Sequence, residues 1–256
     1  MNSSVKPNIM KKHLLLISNS TNAGELYLEW PRQYIREFLE GKGIQRILFL
    51  PYAGISLDQT HVERSYDVYE QRVDQVFQSL GYEICSIHRE EDPLEAIGQA
   101  EAIAVGGGNT FHLVHMMHEL GLMAPIHERV QEGIPFMGWS AGANVACPTL
   151  KTTNDMPIIQ PQRFDCLHLV PFQINPHYLD AHPEGHGGET RQQRIEEFLL
   201  VNRDVFVAGL REGTLLQVDG DQIQLKGKRP MRLFRYGRDP EEFEPGSDIS
   251  LLMNYA

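Results

Sequence analysis

Residues Pro135–Cys147 read "PFMGWSAGANVAC": an apolar run, then Gly138-Trp139-Ser140-Ala141-Gly142, then small residues compatible with a helix. A strand feeding a tight turn and a helix is one step of an α/β fold. The serine at that step admits two readings. One is a nucleophile elbow, in which a strained strand-to-helix turn holds the serine Oγ clear of the backbone. The other is a small-residue turn that lets a helix pack close to a strand. Glycines on either side of the serine permit strained dihedrals and close backbone contact, so both readings remain open on this stretch alone.

The same alternation extends along the chain. Short apolar runs predict strands at His13–Asn19, Arg46–Ala53, Glu83–His88, Ala102–Gly106, Pro135–Gly138, His168–Ile174 and Val205–Leu210. Helices are predicted between them at Glu25–Lys42, His61–Leu80, Asn109–Leu120, Pro125–Glu132 and Thr190–Val201. Several strands are continuous apolar runs, as parallel strands covered on both faces should be. The pattern predicts an α/β fold: a doubly wound, mostly parallel sheet with helices on both faces. In "GTLLQVDGDQIQLKG", Asp219-Gly220 between two alternating runs predicts a C-terminal β-hairpin, and "MRLFRYG" one strand more. No repeat or low-complexity linker divides the chain. The expectation is a single domain over residues 1–256, with a polar lead-in at 1–12 and a C-terminal strand and tail at 221–256.

Bulk properties narrow the function. With 256 residues, 41% hydrophobic and 22% charged, the chain can bury a substantial core. A formal charge of −11 argues against a nucleic-acid partner, which needs clustered Lys and Arg. It does not argue against acidic substrates, since a local arginine can outweigh the global field at short range. Three cysteines without CxxC spacing make neither a disulfide framework nor a cysteine zinc site. The polar start "MNSSVKPNIMKKH" reads as no secretory signal, and no apolar run approaches membrane-spanning length. A reduced, cytoplasmic protein is expected.

In open α/β sheets, ligands bind at the carboxyl ends of strands. After Ala102–Val105 comes "GGGNTFHL", three glycines and an N-capping asparagine ahead of a helix, a candidate anion site built from backbone N–H groups. No Walker A lysine and no GxGxxG accompany it, so a nucleotide is not expected. Ser140 needs a base. His112, His115 and His118 share a helix face but lack a completing ligand set; His177, ending "LVPFQINPH", sits where a base could reach a neighbouring strand end. His182, Glu184, His186 and Glu189 crowd one loop and could hold zinc. Arg191 and Arg194 open a helix against its dipole, a placement that suits a carboxylate-binding role. The base needs an orienting carboxylate, and both Asp155 in "TTNDMP" and Glu212 in "GLREGT" qualify.

Taken together, "LLLISNST", "AVGGGNTFHL", "GWSAGANVACPT", "TTNDMPI", "QINPHY", "PEGHGGETRQQRI" and "GLREG" closely resemble peptidase E, the alpha-aspartyl dipeptidase family of serine peptidases, from about His13 to Gly220. The resemblance implies a cytosolic exopeptidase cleaving dipeptides with an amino-terminal aspartate, on a fold similar to the class I glutamine amidotransferases. It implies Ser140 as nucleophile and His177 as base, and leaves both Asp155 and Glu212 as third members, with the glutamate expected to orient the histidine. It puts Arg191 against the aspartyl side chain of the substrate, with Asn109 a further substrate-binding candidate. Backbone N–H groups of Ala141 and of Gly107 or Gly108 are the expected oxyanion hole. No metal or organic cofactor is expected, and a monomer or homodimer is. Two alternatives stand beside this reading: a cyanophycinase-like peptidase on aspartate-rich polymers, and a metal-binding or sensing protein on the same scaffold.

Overall fold

The computed structural model describes residues 12–180, 185 and 187–254. Five parallel strands make up most of a seven-stranded sheet: β1 (His13–Ile17), β2 (Arg46–Leu50), β3 (Glu83–Ser86), β4 (Ile103–Val105) and β5 (Phe136–Trp139), in the order β3-β2-β4-β5-β1 from one edge. Two antiparallel strands, β8 (Thr214–Asp219) and β9 (Gln222–Gly227), extend it beyond β1 and form the expected hairpin around Asp219-Gly220.

Alternation along the buried strands makes two cores. Leu15, Ile17, Ile47, Phe49, Ala104, Met137 and Trp139 face one side. There α1 (Arg32–Leu39) and α2 (Val62–Gln78) cover them with Ile35, Phe38, Tyr69, Val73 and Phe77. Leu14, Leu16, Leu48, Leu50, Ile103, Val105 and Phe136 face the other side. They meet α3 (Pro93–Gln99), α4 (Thr110–Glu119), α5 (Met123–Gln131) and α6 (Ala141–Asn144) through residues such as Ile97, Leu113, Met117, Ile126 and Ala143. Burial on both faces is why these strands lack a polar alternation.

A second sheet of four strands, ordered β11-β10-β7-β6, contains β6 (Gln173–Tyr178), β7 (Val207–Arg211), β10 (Met231–Phe234) and β11 (Glu241–Phe243). Ile174, Ala208, Leu210, Met231 and Leu233 join the second of the two cores, while Val207, Tyr178 and Phe234 pack under α7 (Arg191–Val201) through Ile195 and Leu199.

Three elements differ from the sequence-based expectation. The strand expected at His168–Ile174 lies later, as β6; residues 167–170 instead bond to the loop after α6 (Leu167 N–H to Val145 O, 2.9 Å; Leu169 N–H to Ala146 O, 2.8 Å), with Leu167, Leu169 and Val170 buried. The helix expected from Glu25 begins only at Arg32, because Pro31 disfavours helix in the residue before it. Asp92-Pro93 opens α3, which the sequence reading passed over, with the Asp92 carboxylate capping the Leu94 and Glu95 N–H groups.

Candidate active site

Ser140 joins β5 to α6 with φ 55° and ψ −113°, a backbone conformation L-residues rarely adopt. The flanking glycines are there for space. A Cβ on Gly138 would stand 2.2 Å from Gly142 O, and one on Gly142 would stand 2.1 Å from Val105 O. The Ser140 N–H is held by Ile17 O at 2.9 Å, so the turn is pinned to β1, while the Ser140 carbonyl accepts from Ala143 and Asn144 and starts α6.

His177 lies in β6, where the pairing with β7 shifts register between Asn175 and Tyr178, and has φ 51°. Such a bulge re-aims a side chain. Here it sets the imidazole between two partners, with Nε2 2.8 Å from Ser140 Oγ and Nδ1 2.8 Å from Glu212 Oε1. Because an ionised carboxylate only accepts, Nδ1 carries the proton toward Glu212 and Nε2 is left to accept from the serine hydroxyl. Both side chains stay open to solvent, at 39% and 45% exposure. The scaffold around them is buried: Ser18 Oγ accepts from the His177 N–H and donates to Leu210 O, and the Asn144 amide donates to Ile174 O at 2.8 Å.

Val105 pairs with Gly138, so the turn after β4 runs beside the Ser140 turn. A Cβ on Gly107 would lie 2.9 Å from Ser140 Cβ, and one on Gly108 (φ 137°) would lie 2.1 Å from Ala53 O. Asp155 binds this segment and not His177: its carboxylate accepts from Thr110 N–H (2.7 Å), Thr110 Oγ1 (2.6 Å) and Thr153 Oγ1 (3.0 Å). Asn109 caps α4, with Oδ1 accepting from the His112 N–H and Nδ2 donating to Met156 O. A serine, a histidine and a glutamate in hydrogen-bonded sequence beside free backbone donors can activate a hydroxyl and meet an oxyanion.

Residues 14–226 match the sequence pattern of Peptidase family S51. The chain belongs to peptidase family S51. It is 49% identical over 247 residues to Peptidase E of Nostoc sp. strain PCC 7120, spanning 96% of this chain and 99% of the relative. To Peptidase E of Salmonella newport strain SL254 it is 46% identical over 233 residues, 91% and 98% of the two chains. Its fold is similar to the crystal structure of a peptidase from an acI-B1 actinobacterium, with TM-score 0.67 at 18% identity over 94% and 97% of the chains. This S51 chain is therefore a peptidase, a hydrolase acting on peptide substrates.

In this S51 structure a cavity of about 640 Å³ opens over Ser140 and His177, with Gly107, Gly108, Asn109 and Asp155 also in its wall. Arg191 is the first residue of α7, behind a Thr190–Gln193 capping box, and donates to Asn154 Oδ1. Asn154 in turn donates to Pro176 O, next to His177. Burial lowers the Arg191 pKa, with Arg194 adding repulsion, and among the described residues no carboxylate pairs with it. Among the cavity residues that escaped the sequence reading are Tyr27, Tyr69 and Arg72, whose guanidinium stands 5.7 Å from the Tyr27 ring. Nothing in the ordinary amphipathic spacing of α2 marks Tyr69 or Arg72 as different.

Of the histidine-rich candidates, those on α4 gather no metal set among the described residues. His112 pairs with Tyr52 O and His118 with Asp165 O. His182, Glu184 and His186 lie outside the described residues, and Glu189 faces Arg194 at 3.9 Å. Among the described residues, Asp67, Glu70 and His88 form the one metal-compatible group. Arg89 already ion-pairs with both of its carboxylates, leaving little for a metal to neutralise. No helix among the described residues is long and apolar enough to cross a membrane.

Proposed function

We propose that the protein is a cytoplasmic serine dipeptidase that hydrolyses Asp-Xaa dipeptides, with Ser140 as nucleophile, His177 as base and Glu212 as the orienting carboxylate. The single observation that carries the reading is the pair of 2.8 Å contacts running from Ser140 Oγ through the His177 ring to Glu212. The Peptidase E name of relatives 46–49% identical supports the substrate class.

Ser140 Oγ attacks the peptide carbonyl while His177 Nε2 takes its proton. The developing oxyanion is met by the N–H groups of Ala141, the first residue of α6, and of Gly107 or Gly108, each worth about 3 kcal/mol of barrier. His177 then gives the proton to the leaving amine, and water, deprotonated by the same ring, hydrolyses the acyl-enzyme. Arg191 has a half-desolvated guanidinium and no competing carboxylate among the described residues, which suits it to hold the aspartyl side chain. Asp155 holds the start of α4, and with it the glycine turn, through Thr110.

The test is hydrolysis of Asp-Leu, Asn-Leu and Leu-Leu by wild type and Ser140→Ala, with and without EDTA. Cleavage of Asp-Leu alone, lost in the variant and indifferent to EDTA, is expected. Cleavage that survives Ser140→Ala, or no cleavage of Asp-Leu by wild type, overturns the proposal.

A further inference from the structure

From Gly106 to Thr110 the backbone donors divide into two kinds. The Gly106 N–H is bound by Leu50 O (3.1 Å), the Asn109 N–H by Ala53 O (2.8 Å) and the Thr110 N–H by Asp155 (2.7 Å). Among the described residues the N–H groups of Gly107 and Gly108 meet no acceptor. The two free donors are those beside Ser140, so the direction in which they point matters for the reaction.

One contact fixes that direction for Gly108. The Tyr69 hydroxyl donates to Gly107 O at 3.0 Å from a side chain only 4% exposed. In a trans peptide the carbonyl and the following N–H point opposite ways, and no described peptide bond is cis. Holding the Gly107 carbonyl toward Tyr69 therefore turns the Gly108 N–H away from Tyr69.

The partners of Tyr69 assign its proton. Trp139 Nε1 lies 3.0 Å from the Tyr69 oxygen, and an indole N–H can only donate. A backbone carbonyl can only accept, so the 3.0 Å contact to Gly107 O takes the one phenolic proton of Tyr69, in preference to the longer contact with the Tyr27 hydroxyl. Tyr27, 3.3 Å away, is left as a second donor to Tyr69. Burial raises the Tyr69 pKa, which keeps that proton in place at neutral pH.

The surrounding backbone is shaped for this ring. A Cβ on Gly54 would lie 2.2 Å from Tyr69 Cδ1, and one on Gly106 would lie 2.7 Å from its hydroxyl oxygen. Neither glycine has a positive φ. Their lack of a side chain answers to the space Tyr69 occupies, not to a special turn.

We infer that Tyr69 is a positioning residue for the oxyanion hole: its hydroxyl sets the Gly107–Gly108 peptide plane so that the Gly108 N–H is preorganised for the tetrahedral intermediate. The inference rests on the Ser140 reading above. It extends that reading to a residue of α2 that touches no reacting atom.

The test compares wild type, Tyr69→Phe and Ser140→Ala on Asp-Leu. Four quantities are measured: kcat, KM, the inhibition constant of the α-aldehyde of aspartate, which forms a tetrahedral adduct on Ser140, and that of free aspartate. Removing an oxyanion donor outright lowers kcat about 10²–10³-fold, so loosening one is expected to lower it about tenfold. KM and free-aspartate affinity should hold while aldehyde affinity weakens about as much as kcat. Phenylalanine keeps the ring, and an unchanged thermal melt checks the fold. Tyr69→4-aminophenylalanine, which restores an N–H donor toward Gly107, is expected to recover most of the loss and is read whether or not Tyr69→Phe folds. Ser140→Ala inactive with kcat and aldehyde affinity of Tyr69→Phe both within twofold of wild type overturns the inference alone. So does a loss shared equally by KM and free aspartate, or one that the amino variant fails to recover. Activity surviving Ser140→Ala overturns the serine reading, and this inference with it.

Discussion

At Gly142 a single methyl group has nowhere to go, since it would meet the Val105 carbonyl at 2.1 Å. Gly142→Ala is expected to cost roughly 1–3 kcal/mol through forced backbone shifts, seen as a lower urea midpoint, and to lower kcat by moving Ser140. The two candidate carboxylates separate at the same scale. Glu212→Ala removes the partner of His177 Nδ1 and is expected to lower kcat about 10²-fold with the melt unchanged. Asp155→Ala instead frees the start of α4, so it should lower both the melting temperature, by loss of about 1 kcal/mol, and kcat. Asp155→Asn keeps an acceptor for the Thr110 N–H and should recover the melt; a melt indifferent to both Asp155 substitutions would count against this division. The residues of the site were unevenly legible. Gly138, Ser140 and Gly142 could be read because their constraint is local, a turn that needs small residues at fixed offsets. The choice between Asp155 and Glu212 could not be read, because it depends on which strand end faces Nδ1 across the bulge in β6. Tyr69 and Arg72 stayed hidden because their positions in α2 match a core tyrosine and a solvated arginine.

Elements whose signals are local came through well. The periodicity of α2, the Asn109 cap of α4 and the Asp219-Gly220 hairpin lie where the sequence puts them. What failed was pairing. Leu167, Leu169, Val170 and Phe172 are buried in the core without joining a strand, and apolarity alone does not distinguish that from a strand. The second sheet was invisible for a related reason: β6, β7 and β10 read as more strands with no signal for the sheet they join, and the three-residue β11 was not read as a strand at all. The start of α7 was legible and now has a measurable consequence. The Thr190 hydroxyl accepts from the Gln193 N–H, and the Gln193 side chain accepts from the Thr190 N–H. Thr190→Ala breaks this capping box and is expected to cost about 1 kcal/mol. Arg191 is the next residue, so KM for Asp-Leu should rise more than kcat falls. An unchanged KM would separate the helix cap from substrate binding.

The second sheet is tied together by charge, and that makes the stability of the whole molecule sensitive to acid. Arg211 in β7 holds Asp180, just beyond β6, at 2.6 and 2.8 Å and Glu242 in β11 at 2.8 and 2.9 Å, while Arg232 in β10 also pairs with Glu242. All four strands of the sheet converge on this cluster, and the ends of β6 and β7 that it joins carry His177 and Glu212. The arginine hydrogen bonds hold both carboxyl groups below their ordinary pKa range. A carboxyl whose pKa is lower folded than unfolded stabilises the fold above its unfolded value, about 4, and that contribution is lost as pH falls through the folded value. Arg211→Met should therefore lower the urea midpoint at pH 7, where it leaves two partly covered anions short of a partner. The gap to wild type should close as pH falls from about 5 to about 3. Carboxylates elsewhere titrate alike in both proteins and cancel in the difference. With side chains 47% and 38% exposed, Asp180 and Glu242 are partly screened by solvent. The sign of the pH dependence is thus the decisive readout. A gap that stays constant between pH 7 and pH 3 would mean that Arg211 holds the sheet through packing against Tyr178, 5.5 Å from its ring centroid, and not through charge.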